Sequence, residues 1–441
     1  MKNIKFAFFV GIVSASCAYA IRDITSLELV KELRLGWNLG DSLDALCTDW
    51  LDYNNDQTAS ETCWGNVKAT QDLFTSLMNK GINVFRVPIT WTGHIGDAPN
   101  YTIDKKWLER VREVVNYSYQ NGAYVIINTH HENWVNTYND KIAYAKEITA
   151  NLWKQIAEEF KDYDEHLIFE CMNNPRKIDS NTDDEFGDDE SWKFINEVNK
   201  VFIDTVRQAK GNNPKRHLLI SPYRSLIDQD TVKRLEIPSY DKKIMVSLHG
   251  NIPYDFTSNH NNDIYSKITD IEWSLNTINQ QFLAKNIPVI MTEFYAANRA
   301  DNSERTLLAD YYIKKATDVG IPCMLWDNGK LEYGNENYGL INRITYEIKY
   351  PDYLNTLLEA SYSNVIEHDK ENHSEQKSKI DSTIKVQNGQ SKYVPVFSKR
   401  NINNNIIVEP YTEKEGETPE NVIFSTINKV IALNGTKKEV I

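Results

Sequence analysis

From Leu33 to Ala360 short apolar runs alternate with longer segments of helical period, and this alternation constrains the fold more than any other feature of the chain. Such runs read as parallel strands, because a parallel neighbour cannot be reached through a tight turn and needs a crossover helix. The strands predicted are Leu33–Trp37, Asn83–Val87, Tyr124–Asn128, Leu167–Met172, His217–Ile220, Ile244–Leu248, Pro288–Thr292 and Pro322–Leu325. Helices are predicted between them over Val67–Asn79, Lys105–Asn121, Ala143–Phe160, Ser191–Lys210, Ile264–Lys285 and Ser303–Val319. Gly81, Gly122 and Gly320 follow three of these helices, where a left-handed terminating residue is expected. Eight such units predict an α/β fold, a (β/α)8 TIM barrel, for which about 250 residues suffice.

In such a barrel, ligand-binding groups collect at the C-terminal ends of the strands. One or two residues past the predicted strands stand Asn38, Arg86, His130, Asn173 with Asn174, Tyr223, His249, Glu293 and Trp326. A barrel serving only as scaffold needs no polar or aromatic group at every strand end, so a ligand site is expected there. The net charge of −13 excludes a nucleic-acid partner, since phosphate backbones select Lys and Arg patches. Neutral sugars remain compatible with it, and aromatic faces suited to stacking on sugar rings are plentiful. No cysteine or histidine set has metal-ligand spacing, and neither a metal nor a cofactor is expected.

The two ends of the chain differ from the barrel. Lys2 and Lys5 precede the apolar stretch Phe6–Val13, and Ala18-Tyr19-Ala20 has a small-x-small cleavage pattern. Residues 1–20 therefore read as a signal peptide of a secreted protein, with no membrane association after cleavage. Cys47 and Cys63 share one loop and can pair in an oxidising compartment, whereas Cys171 and Cys323 fall in predicted strands and read as buried thiols. The barrel is expected over 21–360. Residues 361–441 form a polar, poorly ordered extension rich in Asn, Lys, Glu and Ser, with short apolar pieces at Tyr393–Phe397, Ile406–Val408 and Val422–Leu433.

Several motifs run in order along the barrel: Gly36-Trp37-Asn38-Leu39-Gly40, Arg86-Val87-Pro88, Asn128-Thr129-His130-His131-Glu132, Asn173-Asn174-Pro175, Thr292-Glu293-Phe294 and Trp326-Asp327-Asn328-Gly329. Together they resemble glycoside hydrolase family 5, the cellulase-type barrel glycosidases, and in particular its endoglucanase branch. The resemblance covers Leu33 to Ala360. It implies retaining hydrolysis of a β-linked polysaccharide or oligosaccharide, with Glu293 as nucleophile and a second carboxyl as acid/base. Arg86 would hold Glu293 ionised, Asn173 would bond the sugar 2-hydroxyl, and Trp326 would form the aromatic platform under the ring. Asn38, Arg86, His130, His131 and His249 match further substrate-binding positions. Trp64, Trp91 and Trp134 lie in loops as either cleft wall or core.

Where the family carries its acid/base glutamate in Asn-Glu-Pro, this chain has Asn174, and a carboxamide cannot protonate a departing sugar alkoxide. Glu170 shares its face of the strand but lies roughly 13 Å lower, out of reach of the leaving oxygen. General acid–base help contributes about 10²–10⁴-fold, or roughly 3–5.5 kcal/mol. Asn251 also stands where the family prefers Tyr, and Tyr295 where it prefers Gly. Two readings stay open: an endo-β-1,4-glucanase-type hydrolase slowed at the proton-transfer step, and a catalytically inactive protein that binds β-glucan or hemicellulose without cleaving it.

Overall fold

The computed structural model describes residues 21–178, 186–251, 264–299, 302–334, 336–362, 399–400 and 406–407. The segment 1–20 expected to be a signal peptide, and the apolar pieces at Tyr393–Phe397 and Val422–Leu433, lie outside these. Contacts divide the chain into two units, 1–374 and 375–441. In the first, eight strands close a parallel barrel in sequence order. They are β1 Gly36–Leu39, β2 Val84–Val87, β3 Tyr124–Asn128, β4 Leu167–Glu170, β5 Leu218–Ile220, β6 Ile244–Asn251, β7 Val289–Tyr295 and β8 Cys323–Asp327. The helices are α1 Ser26–Leu29, α2 Gln71–Met78, α3 Lys105–Tyr119, α4 Ile142–Glu159, α5 Asp189–Gln208, α6 Gln229–Lys233, α7 Ile264–Gln281, α8 Ser303–Asp318 and α9 Pro351–Ser361. In the second unit the described residues form an antiparallel pair, β9 Lys399–Arg400 with β10 Ile406–Ile407.

Local chemistry fixes where the helices start and stop. Thr70, Asp104, Asp188 and Asp228 each accept backbone N–H groups at the start of α2, α3, α5 and α6, satisfying donors the helix leaves open. Gly81, Gly122 and Gly320 adopt positive φ beyond α2, α3 and α8, as expected of left-handed terminators. The short helices α1, α6 and α9 were not anticipated by the sequence pattern.

The strands differ from expectation mainly at their upper ends. β1 runs over Gly36–Leu39 rather than Leu33–Trp37, and β6, β7 and β8 continue through His249, Glu293 and Trp326. Several expected strand-end residues are thus inside strands, because a barrel interior can pair polar side chains with one another and the ladder need not stop where apolar residues do. Side chains two residues apart share a face. Val84, Ile126, Ile168, Leu219, Met245, Ile290 and Met324 form one buried apolar layer, underlain by Leu29, Val30 and Leu33. β1 contributes Gly36 at this level, where a Cβ would lie 2.7 Å from Met324 and 2.8 Å from Val84. Two residues further along, the same faces carry Asn38, Arg86, Asn128, Glu170, Ser221, Ser247, Thr292 and Trp326. An apolar floor therefore carries a polar layer, and that layer supports the site.

The β1-to-α2 loop is stapled by the Cys47–Cys63 disulfide across 16 residues. Cys171 and Cys323 are buried free thiols. The same loop is held by buried Glu61, which accepts from Arg110 Nε at 2.8 Å, Arg110 Nη2 at 2.7 Å and Ala69 N at 2.7 Å. A closed loop of this length removes denatured-chain entropy worth about 3 kcal/mol at most. Cys47→Ser with Cys63→Ser should lower the unfolding free energy by about 2–3 kcal/mol in urea titrations. A loss below about 1 kcal/mol would mean that the Glu61–Arg110 pair alone restrains the loop.

Candidate active site

Arg86 is fully buried and directs its three nitrogens to groups from β1, β7 and the upper end of β4. Nε donates to Glu170 at 2.6 Å, Nη1 to Glu293 at 2.8 Å and to Asn38 at 3.0 Å, and Nη2 to Asn173 at 2.8 Å. The second oxygen of Glu170 accepts from Ser247 at 2.5 Å, and Ser247 in turn meets Thr292 at 2.6 Å. Asn38 donates to the Thr292 carbonyl at 2.9 Å. Asn38, Arg86 and Glu170 are closed to solvent, whereas Glu293 is 8 % and Asn173 9 % exposed, so these two carry the network into the cleft.

Thr292 and Glu293 are consecutive, yet both bond groups inside the barrel. The ladder explains this: Leu248 pairs with Met291 and His249 with Glu293, so the register slips at Thr292. An extra residue in one strand turns two neighbours to one face. Burial alone would raise the Glu293 pKa, but the charges of His249 and Arg86 and the Arg86 hydrogen bond outweigh it and hold the carboxyl below its ordinary value. Arg86 is the lasting part of that field, because burial lowers the pKa of His249 itself. His249 Nδ1 lies 3.5 Å from Glu293 Oε2. Its Nε2 is enclosed with no hydrogen-bond partner among the described residues.

His130, His131, Trp64 and Trp326 line the cleft wall. His130 and Trp326 stack at 5.7 Å with planes 4° apart, and Trp64 leans on His131 at 5.4 Å. Gly40 lets the Trp326 indole close in, since a Cβ there would meet the ring at 2.6 Å. Asn128 Oδ1 accepts from Ile89 N at 3.0 Å, which turns its amide nitrogen toward His130 Nδ1 at 3.1 Å. The Asn173 amide nitrogen lies 3.3 Å from His130 Nε2, so an amide faces each ring nitrogen, and a neutral ring accepts from only one of them; the shorter contact puts the acceptor at Nδ1, a tautomer assigned from these partners. Burial pushes His131 down to about 4 and His130 well below its ordinary value, so both are neutral at physiological pH. Trp91 and Trp134, considered above as cleft wall or core, are 0 % and 3 % exposed and belong to the core. Tyr223 is likewise buried.

Asn174 follows β4 at φ +49°, in the left-handed region that Asn tolerates better than most side chains. With its amide oriented to suit both neighbours, it donates to the Arg224 carbonyl at 2.7 Å and accepts from Arg176 Nη1 at 3.1 Å. Arg176 was not singled out in the sequence, although its charge lowers the pKa of His130, His131 and His249. Asp44 and Glu132 were also missed as supports of the wall. Asp44 accepts from Ser42 N at 2.7 Å and Asp41 N at 3.1 Å, and its Oδ2 lies 4.0 Å from His130 Nε2. Glu132 accepts from Trp91 N at 2.7 Å and from Thr92 N at 2.9 Å. Their sequence signal was polarity alone, Glu132 as the last residue of the Asn128–Glu132 motif and Asp44 four residues beyond Gly40.

Asp44, His130 and His131 bring possible metal-ligand atoms within 4.8 Å of one another. Both His130 ring nitrogens already face amide nitrogens, Asn128 at 3.1 Å and Asn173 at 3.3 Å, so the arrangement suits hydrogen bonding better than coordination. Asp164, Glu165 and His166 form a similar cluster, but Glu165 is paired with Arg22 and Asp164 with His166 at 3.1 Å.

Residues 50–332 match the profile of Cellulase (glycosyl hydrolase family 5). The chain is 48% identical over 344 residues to Endoglucanase B of Neocallimastix patriciarum, covering 77% of this chain and 73% of that protein. It is 44% identical over 334 residues to Endoglucanase A of Ruminococcus albus, covering 74% and 90%. Among solved structures, a GH5-4 broad specificity endoglucanase from Ruminococcus champanellensis with bound cellotriose superposes with a TM-score of 0.72 at 37% identity, over 77% of this chain and 99% of that one. A xyloglucan-specific endo-β-1,4-glucanase from a metagenomic library, in complex with cellotriose, gives 0.71 at 38% identity, over 75% and 98%. With a closed eight-stranded barrel, a buried carboxylate network at its C-terminal mouth and this extent of similarity, the chain belongs to glycosyl hydrolase family 5, among relatives that are endoglucanases.

Proposed function

We propose that this protein binds β-1,4-glucan chains in the barrel cleft, with Glu293 as the retained nucleophile and with hydrolysis of ordinary glycosidic bonds slowed because Asn174 stands at the acid/base position. The observation that carries the reading is Glu293: a partly open carboxylate, held ionised by a buried arginine at 2.8 Å, beneath a wall of aromatic and neutral imidazole groups. That relatives of similar fold hold cellotriose supports a glucan as ligand. The other nearby carboxylates are committed, Glu170 to Arg86 and Ser247, and Asp44 and Glu132 to backbone N–H groups. The amide of Asn174 is bonded to Arg224 and Arg176, which favours the second reading, a glucan-binding protein without turnover. In this reading the barrel is the domain over 21–360. The Lys2 to Ala20 pattern and the Cys47–Cys63 bond support secretion.

Glu293→Gln should abolish residual hydrolysis of cello-oligosaccharides while leaving their affinity within a few-fold, since the amide keeps the shape but cannot form a glycosyl ester. Turnover surviving in this variant would remove Glu293 from the nucleophile role. Asn174→Glu should raise the hydrolytic rate on sugar leaving groups, up to the full ~10²–10⁴-fold acid/base contribution. Its left-handed backbone would cost about 1 kcal/mol of stability with the longer side chain. A variant that binds cellotetraose yet shows no gain would overturn the proposed role of position 174. Because burial lowers the pKa of His130, His131 and His249 and Glu293 is held below its ordinary value, cellotetraose affinity should be flat between roughly pH 6.5 and 8 by calorimetry. A tenfold change there would mean that a group of the wall titrates in that window, a cleft histidine or one of Asp44 and Glu132, which burial raises to about 7.

A further inference from the structure

We infer that this site is a glycosyl-trapping and transfer site: it forms a covalent glycosyl ester on Glu293 from donors whose leaving group needs no proton, and passes the sugar to small anionic nucleophiles in preference to water. The inference rests on the reading of Glu293 and Asn174 given above and extends it to a different activity.

The forward step needs only Glu293. Arg86 anchors Oε1 at 2.8 Å, which leaves Oε2, facing His249 at 3.5 Å, as the attacking atom. The Oε2 lone pair forms a bond to the anomeric carbon as the bond from that carbon to the leaving oxygen breaks. The electron pair departs with the leaving group. A sugar alkoxide must be protonated to leave, whereas an aryloxide of a strongly acidic phenol or a fluoride leaves as the anion. The products are a glycosyl ester and the free anion.

The return step separates water from other acceptors. Water attacking the ester must lose a proton as its bond to carbon forms, and that is work for a general base. Asn174 has no basic lone pair to offer, and its amide is already held between the Arg224 carbonyl and Arg176. An anion brings its own electron pair and sheds no proton. It displaces the Glu293 carboxylate from the anomeric carbon, and two inversions return the β configuration. A glutamate at 174 would repel an approaching anion at this range. Here the β4 end of the cleft carries a neutral amide, whose oxygen is 3.1 Å from the Arg176 guanidinium. The face that receives the second nucleophile therefore favours an anion.

The full chain incubated with 2,4-dinitrophenyl β-cellobioside should release a burst of about one dinitrophenolate per protein, followed by slow turnover, with the ester detected on the Glu293 peptide by mass spectrometry. Sodium azide should raise the slow phase at least about tenfold and yield β-cellobiosyl azide by NMR. Asn174→Glu should lose the azide dependence, and Glu293→Gln should show no burst. Should Asn174→Glu fail to fold, the burst, the trapped peptide and the azide product of the unsubstituted chain test the idea alone. Rapid turnover of the aryl glycoside by water, indifferent to azide, overturns the inference. It overturns the underlying reading too only if cellotetraose is also cleaved at that rate. Absence of a burst, with cellotetraose binding intact by calorimetry, overturns the inference and leaves the binding function standing; absence of both overturns each.

Discussion

A single guanidinium buried between two carboxylates organises the mouth of this barrel. Arg86 pairs with Glu170 at 2.6 Å and with Glu293 at 2.8 Å, and neither the arginine nor Glu170 is open to solvent. Taking such charges out of water costs several kcal/mol per ion, offset only when geometry and additional hydrogen bonds are good. Asn38 on β1, Ser247 on β6 and Asn173 just past β4 supply those bonds. A lysine could not replace the arginine, because a point charge cannot reach strands β1, β4 and β7 at once in a fixed plane. Below lies an apolar layer of Val84, Ile126, Ile168 and Met324. Its low polarizability strengthens each pairing above it. The ionised Glu293 is thus a property of the barrel interior as a whole.

Much of this was legible in the sequence. Apolar alternation gave the barrel, and β3 over Tyr124–Asn128 was read to the residue. The expected strand β1 was displaced because Leu33 and Leu35 are apolar for another reason: Leu33 packs below the barrel with Leu29 and Val30. Upper strand ends were cut short because an apolar pattern cannot signal a polar layer that satisfies itself. The slip at Thr292 was invisible for a different reason. It depends on pairing between β6 and β7, and no local residue marks it. The sequence leaves Trp91 open between cleft wall and core, and it bonds the Asn128 carbonyl at 3.0 Å from within the core, a long-range contact that spacing does not encode. Arg176 and Asp44 escaped notice because charged loop residues are ordinarily solvated.

The parts of the site that hold a ligand are separable from those that carry out chemistry. Trp326, His130, His131 and Trp64 form one wall, supported by Asp44, Asn128 and Glu132. Neutral imidazoles donate and accept without attracting counter-ions, a suitable surface for hydroxyl-rich, uncharged sugars. None of these groups depends on Asn174, which is tied to the Arg224 carbonyl on the loop after β5. A change at position 174 can therefore alter reactivity while leaving that wall in place.

Charge balance gives the position of Asn174 its further weight. Arg86 faces both Glu170 and Glu293, one cation between two carboxylates. Another carboxyl at 174 would either ionise and repel Glu293 or stay protonated because of it, the coupling that separates acid from nucleophile in a retaining pair. Without it, the pKa of Glu293 stays depressed, held by Arg86 against burial. Under the proposed function, a carboxylate so stabilised attacks readily but is slow to be replaced by water, because Asn174 offers no base. In the proposed reading, the substitution therefore divides a two-step reaction unequally: the bond-forming half keeps its apparatus, and the half that needs a proton moved does not.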